Sequence, residues 1–135
     1  MKRFDVQGIE LNVPRSRAFA FIADPAQPLK WTSTFVSAAD GRALMRTPVG
    51  EVQIEFGVHA SAEHGTVDWR MKFPDGSVAT AFSRVVEIDR EHCVFSFILT
   101  PPPVPLEQLE GALEAQSRML TEELQKLKRI LERQE

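Results

Sequence analysis

Residues 101–105, PPPVP, separate two periodicities. Before them, from Thr34 to Thr100, apolar residues recur at every second position; after them, from Leu106 onward, they recur at threes and fours. A period of two belongs to strands with one buried face, and a period near 3.6 to a helix with one apolar stripe. Both faces must be covered, and the economical cover for each is the other. The chain is therefore constrained to an antiparallel sheet followed by a long helix that lies on it.

The strands can be read one by one. EVQIEFGVHA puts Val52, Ile54, Phe56 and Val58 on one face. TVDWRMKF does the same with Val67, Trp69, Met71 and Phe73, opposite Asp68, Arg70 and Lys72. HCVFSFILT offers Cys93, Phe95, Phe97 and Leu99. Asp40-Gly41 and the PDG at 74–76 are turn signals between such runs, so hairpins and one wet face are expected. Upstream, Phe4 and Val6 differ in phase from Ile9, Leu11 and Val13, which predicts a strand with a bulge near Gly8. Pro14 opens a short helix, RSRAFAFIAD, that Pro25 ends. PAQPLKW supplies a second short turn, with Leu29 and Trp31 as its apolar contacts.

The three consecutive prolines favour a stiff extended connector. Beyond them Leu106, Leu109, Leu113, Leu120, Leu124, Leu127 and Leu131 form the helix stripe. Acidic residues gather near its start and basic ones near its end, as the helix dipole prefers. A helix over about residues 106–133 would run roughly 40 Å.

Composition excludes several function classes. The net charge is -3, which provides no basic field for nucleic acid. No run approaches the roughly 20 apolar residues of a membrane span, and no secretory signal is evident, so a cytoplasmic location is the expectation. The single cysteine, Cys93, permits no internal disulfide. His59 and His64 have no convergent partners, and His92 and Cys93, adjacent on a strand, point opposite ways. Neither a metal site nor a cofactor is expected.

Strand, two short helices, six strands and a long terminal helix make an order that resembles the START-like superfamily, also called SRPBCC, of polyketide cyclase/dehydrase and lipid-transport type. VPRSRAFAFIADPAQPLKW is similar to its first segment, and FSFILTPPPVPLEQLEGALEAQSRML to its last strand and helix. The resemblance covers residues 1–135 as one START-like domain. It implies an α+β helix-grip fold: a curved antiparallel sheet of about seven strands wrapped around the C-terminal helix. A cavity for apolar molecules would lie between them.

On that layout Trp69, Met71, Phe73, Phe95 and Phe97 line the concave wall, with Met119 and Leu120 on the helix. SVATAFSRVVEI adds a complication, because Thr80, Phe82 and Arg84 share one side of an alternating strand with Val78 and Val86. A bulge at Val85–Val86 would turn Arg84 outward, and a snorkelling stem would carry its head to the rim. With no glycine or proline in the strand, the expectation is that Arg84 faces the cavity beside Thr80. There it would meet the polar break that Gln116 and Ser117 make in the leucine stripe.

The primary reading is a protein that binds a small, largely apolar molecule, such as a lipid or a polyketide-like compound, with Arg84 engaging an acidic group and Gln116 orienting it. A cyclase/aromatase- or hydratase-type enzyme is the alternative, although no acid/base group is evident in the cavity. A third is a protein-interaction module. Leucines spaced by four and three toward the end of the helix suit a coiled-coil seam and would permit a homodimer.

Overall fold

The computed structural model describes residues 4–47, 50–100 and 106–133. The period-two region forms β2 (Phe35–Ala39), β3 (Arg42–Thr47), β4 (Gly50–Ser61), β5 (Thr66–Lys72), β6 (Val78–Asp89) and β7 (His92–Leu99). They follow β1 (Asp5–Leu11), α1 (Arg15–Ala23) and the one-turn α2 (Pro28–Trp31). The chain ends in α3 (Leu106–Arg133). The connector at 101–105 and the side chains of Leu29, Leu106 and Leu109 lie outside the described residues.

All seven strands join one antiparallel sheet in the order β1-β7-β6-β5-β4-β3-β2. The β2–β3 hairpin turns on Asp40 and Gly41, both with positive φ (54° and 75°), the conformation that lets a tight turn follow the twist of its strands.

Helix α3 packs along β1 and against α2. Leu113, Leu120, Leu124, Leu127 and Leu131 are all buried. The C-terminal half of the helix closes a filled core, where Leu127 and Leu131 join Leu11, Ile22 and Phe95. The leucine spacing therefore serves the sheet, and none of these five is left for a coiled-coil partner. Polar contacts fix the register of helix and strand. Thr121 Oγ1 donates to Gln7 Oε1 (2.9 Å), Lys128 Nζ to the Glu10 carbonyl (2.7 Å), and the Asn12 N–H to Glu132 (3.0 Å).

Two expectations of phase are corrected. The β1–β7 ladder runs without interruption from Asp5↔Leu99 to Leu11↔Cys93, so Gly8 marks no bulge. Instead Phe4 and Val6 are exposed on the convex side, while Asp5 and Gln7 face α3. Strand β6 is inverted in the same way. Ala79, Ala81, Ser83 and Val85 face inward, and Val78, Phe82, Arg84, Val86 and Ile88 are exposed. The register is regular from Phe82↔Ile98 to Glu87↔Cys93, and its one shift falls between Glu87 and Asp89, beyond Arg84. Plain alternation, not a bulge, turns the arginine out. The reason is shared by both strands: their outer faces are apolar, and Phe82, Ile98 and Val6 lie side by side across β6, β7 and β1.

Candidate ligand-binding chamber

The concave side of the sheet is not filled along its whole length. Between β5, β6, β7 and the middle of α3 lies a chamber with a cavity volume of about 120 Å³. It exists because β6 offers small side chains where its neighbours offer large ones. Ala81 stands opposite Trp69, and Ala79 opposite Met71. Ser83, opposite Phe97, turns its hydroxyl to the Val67 carbonyl (2.6 Å) and occupies little space.

The sheet wall comprises Trp69, Met71, Phe73 and Phe97 with Ala79 and Ala81. Helix α3 contributes Gln116, Met119, Leu120 and Glu123. The remaining side is built by α2 and the segment after it, chiefly Trp31, Thr32 and Phe35. Aromatic contacts brace the wall. Trp69 stacks on Phe97 at 5.6 Å between centroids, and Trp31 meets Trp69 edge-on at 6.1 Å.

The structure thus places seven of the residues singled out in the sequence on the wall: Trp69, Met71, Phe73, Phe97, Gln116, Met119 and Leu120. The other four lie elsewhere. Phe95 is fully buried behind the wall, packed against Trp31 and Phe97. Thr80 and Phe82 belong to the outward set of β6. Arg84 is exposed, and its Nε donates to the His64 carbonyl at 3.1 Å. Desolvating an unpaired guanidinium is expensive, and the outward phase avoids it. Ser117 also leaves the chamber question. Its hydroxyl donates to Asp5, and its carbonyl accepts from Gln7 Nε2 (2.8 Å), so it serves the β1–α3 contact.

Glu123 is the residue that sequence reasoning missed. Its Oε2 accepts from the Thr32 hydroxyl and from the Ser33 N–H (2.6 Å), which ties the segment after α2 to α3. Burial pushes its carboxyl above the ordinary range, against the opposing hydrogen bonds from Thr32 and Ser33 and the charge of Lys126. A signal was present: Glu123 follows Gln116 by seven and Leu120 by three, on the same helix face.

Three chamber residues carry a polar atom that is buried in the surrounding protein. Among the described residues, the Nε1–H groups of Trp31 and Trp69 and the Oε1 of Gln116 are buried without a hydrogen-bond partner. No three His, Cys, Asp or Glu side chains among the described residues converge as metal ligands would. No helix among them is long and apolar enough to cross a membrane.

No protein-family model and no curated protein matches the chain. Solved structures do. A START superfamily protein from Mycobacterium smegmatis superposes with a TM-score of 0.71 at 9% identity, over 98% of this chain and 99% of that one. The Zhui aromatase/cyclase from Streptomyces sp. R1128 gives 0.65 at 12%, over 97% and 94%. The di-domain aromatase/cyclase BexL gives 0.68 at 12%, over 97% of this chain and 47% of that one. Identities this low speak to architecture alone. The chain has the START-like helix-grip fold.

Proposed function

We propose that the protein binds a small, largely apolar molecule in the chamber between its sheet and α3. The observation that carries this reading is the placement of Ala79 and Ala81 opposite Met71 and Trp69, which keeps a space open beside the aromatic wall. Natural cores are close-packed, so a hollow of this kind calls for an occupant. A cavity of about 120 Å³ is on the scale of the roughly 150 Å³ apolar cavity that takes up benzene. A ring-sized guest therefore fits better than a whole acyl chain or a fused polycycle. With Arg84 on the outer face, the acidic ligand group loses its expected anchor.

The chain's two tryptophans both line the chamber. Their indole N–H resonances should shift saturably when toluene is titrated into labelled protein. No shift of either resonance at saturating toluene would refute the reading.

A second reading is an enzyme of the cyclase/aromatase or hydratase kind, favoured by Glu123. A carboxyl at the chamber wall with a raised pKa is a candidate proton-transfer group. The structures of the two aromatase/cyclases share this architecture. The readings separate on Glu123→Gln. A binding protein keeps its affinity, and an enzyme loses turnover of its substrate.

A further inference from the structure

We infer that two copies of this chain associate through the outer face of β6, β7 and β1, related by a two-fold axis that runs along β7.

The outer face of the sheet is divided. On β5 and β4 it is charged, with Asp68, Arg70 and Lys72 beside His59 and Glu55. Over β6, β7 and β1 it is apolar. Phe82, Ile98 and Val6 form one row across the three strands, and Val78, Val86 and Ile88 extend it along β6. All six are 38–52% exposed. The inner face of β6 carries alanine and serine at 79, 81 and 83, so the strand turns its larger apolar side chains to solvent. Solitary chains rarely expose a contiguous apolar patch beyond a few hundred Å². With strands about 4.8 Å apart and a rise of about 3.3 Å per residue, this one is on the order of 500 Å². Its polar margin brings each copy to about 600 Å², the smallest share of a specific pair.

A second copy is the occupant because the patch is complementary to itself. Stacked sheets lie about 10 Å apart with strands aligned to within about 30°, and two-fold pairs are the commonest assembly. An axis along β7 sets β6 of each copy over β1 of the other. Phe82 then meets Val6 of the partner subunit, and Ile98 meets Ile98 of the partner subunit. The next row is Gly8, Ser96 and Arg84, so the arginine falls over Gly8 of the partner subunit. Glu10 of the partner subunit stands two residues further along the same face, within reach of the guanidinium. An axis across the strands would instead carry Arg84 away from Glu10 of the partner subunit.

Gly8 supports this packing independently. A glycine inside a strand weakens it, and marks a bulge or a close approach from outside. The ladder through Gly8 has no bulge. Its own chain does not need the gap either, because an added Cβ would come no nearer than 3.7 Å to the Phe95 carbonyl oxygen. The missing side chain leaves a notch on an exposed face, where the partner's Arg84 lies. The chamber is on the opposite side of the sheet, so pairing does not require it to be filled, and the binding reading stands or falls separately.

The test is sedimentation velocity on the full chain from low micromolar to submillimolar concentration. The mass should rise toward twice the 15.2 kDa of one chain, with a dissociation constant in the micromolar range. Phe82→Lys should weaken pairing at least about tenfold, because it buries an unpaired charge. Gly8→Val should weaken it by about as much, yet its melting temperature, measured where the protein is monomeric, should hold or rise because valine suits a strand. Arg84→Glu and Glu10→Arg should each weaken pairing several-fold, and the two together should restore it. A mass of one chain at every concentration would overturn the inference. So would a dimer indifferent to Phe82→Lys and Gly8→Val, or charge reversals that fail to rescue each other. Monomeric protein that floats with phosphatidylcholine vesicles, and stops doing so as Phe82→Lys, would overturn it in favour of a lipid surface.

Discussion

Ala81 lies directly across the β5–β6 ladder from Trp69, and both side chains point to the concave side of the sheet. A methyl group facing an indole leaves room for something between them and the helix. Ala81→Leu should fill that room. Ligand-induced shifts of the indole resonances should disappear, while the melting temperature stays level or rises, because filling a void offsets the strain of a larger side chain. Parallel thermal melts and toluene titrations check both parts.

Arg84→Met should leave ligand binding unchanged. The arginine is exposed, and its Nε is bonded to the His64 carbonyl, away from the chamber. Stability should change by no more than about 0.5 kcal/mol, as for ordinary surface substitutions. A loss of affinity in this variant would place the guanidinium back at the site.

Glu123→Gln should stabilise the protein at neutral pH. The folded-state pKa of Glu123 is raised, chiefly by burial. Between the ordinary carboxylate pKa and this raised value the folded chain holds a proton that the unfolded chain has lost. Stability therefore falls as pH climbs through that window and stays lower above it. The amide keeps an oxygen for Thr32 and Ser33 but carries no charge to desolvate. Denaturant melts of both proteins from mildly acid to neutral pH should show the variant's advantage growing with pH and vanishing at the acid end. A constant difference would assign the effect to something other than this proton.

Leu127→Ala and Met119→Ala should differ sharply. Leu127 is fully buried in the filled end of the core, whereas Met119, on the same helix, is 42% exposed at the chamber. The first substitution should cost about 2–5 kcal/mol, as large-to-small changes in cores do. The second should cost under about 1 kcal/mol. Urea denaturation of the two variants separates the ends of the helix.

Gly65→Ala should be destabilising by about 1–3 kcal/mol, the range for a strained backbone site. Gly65 has φ +74°, and an added Cβ would stand 2.3 Å from the Val85 carbonyl oxygen and 2.7 Å from Arg15 Nη2. That arginine docks α1 by donating to the carbonyls of Val85 (3.3 Å) and Ala62 (2.8 Å). Equal melting temperatures for the parent protein and the Gly65→Ala variant would show that the turn yields.

Where the solvent-facing side of a strand carries charge, its phase is legible from sequence. Asp68, Arg70 and Lys72 leave no doubt about Trp69, and Gln53 with Glu55 does the same for Ile54 and Phe56. In β6 that cue is reversed. Its wet face carries Val78, Phe82 and Val86, while its dry face carries alanine and serine. Small residues mark a hollow only when their cross-strand partners are known, and register is a property of the pair. β1 misleads for a related reason: Asp5 and Gln7 face inward because Ser117 and Thr121 on α3 receive them. The terminal helix is readable in its extent, and the spacing from Gln116 and Leu120 puts Glu123 on its inner face, but nothing in the helix itself announces Thr32 and Ser33 as the partners on the other side.

The pairing of β1 with β7 has a kinetic consequence. Each strand from β2 to β6 can pair with a neighbour only a hairpin away, but β1 must wait until residues 93–99 exist, and α3 can lie down on β1 only after that. The slow step of folding is therefore expected to be the joining of the first strand to the last across some eighty intervening residues, a closure whose entropy is lost before its contacts form. Until it happens, the hydrophobic side of a nearly finished meander stays uncovered, and that is the interval in which this chain is most exposed to self-association.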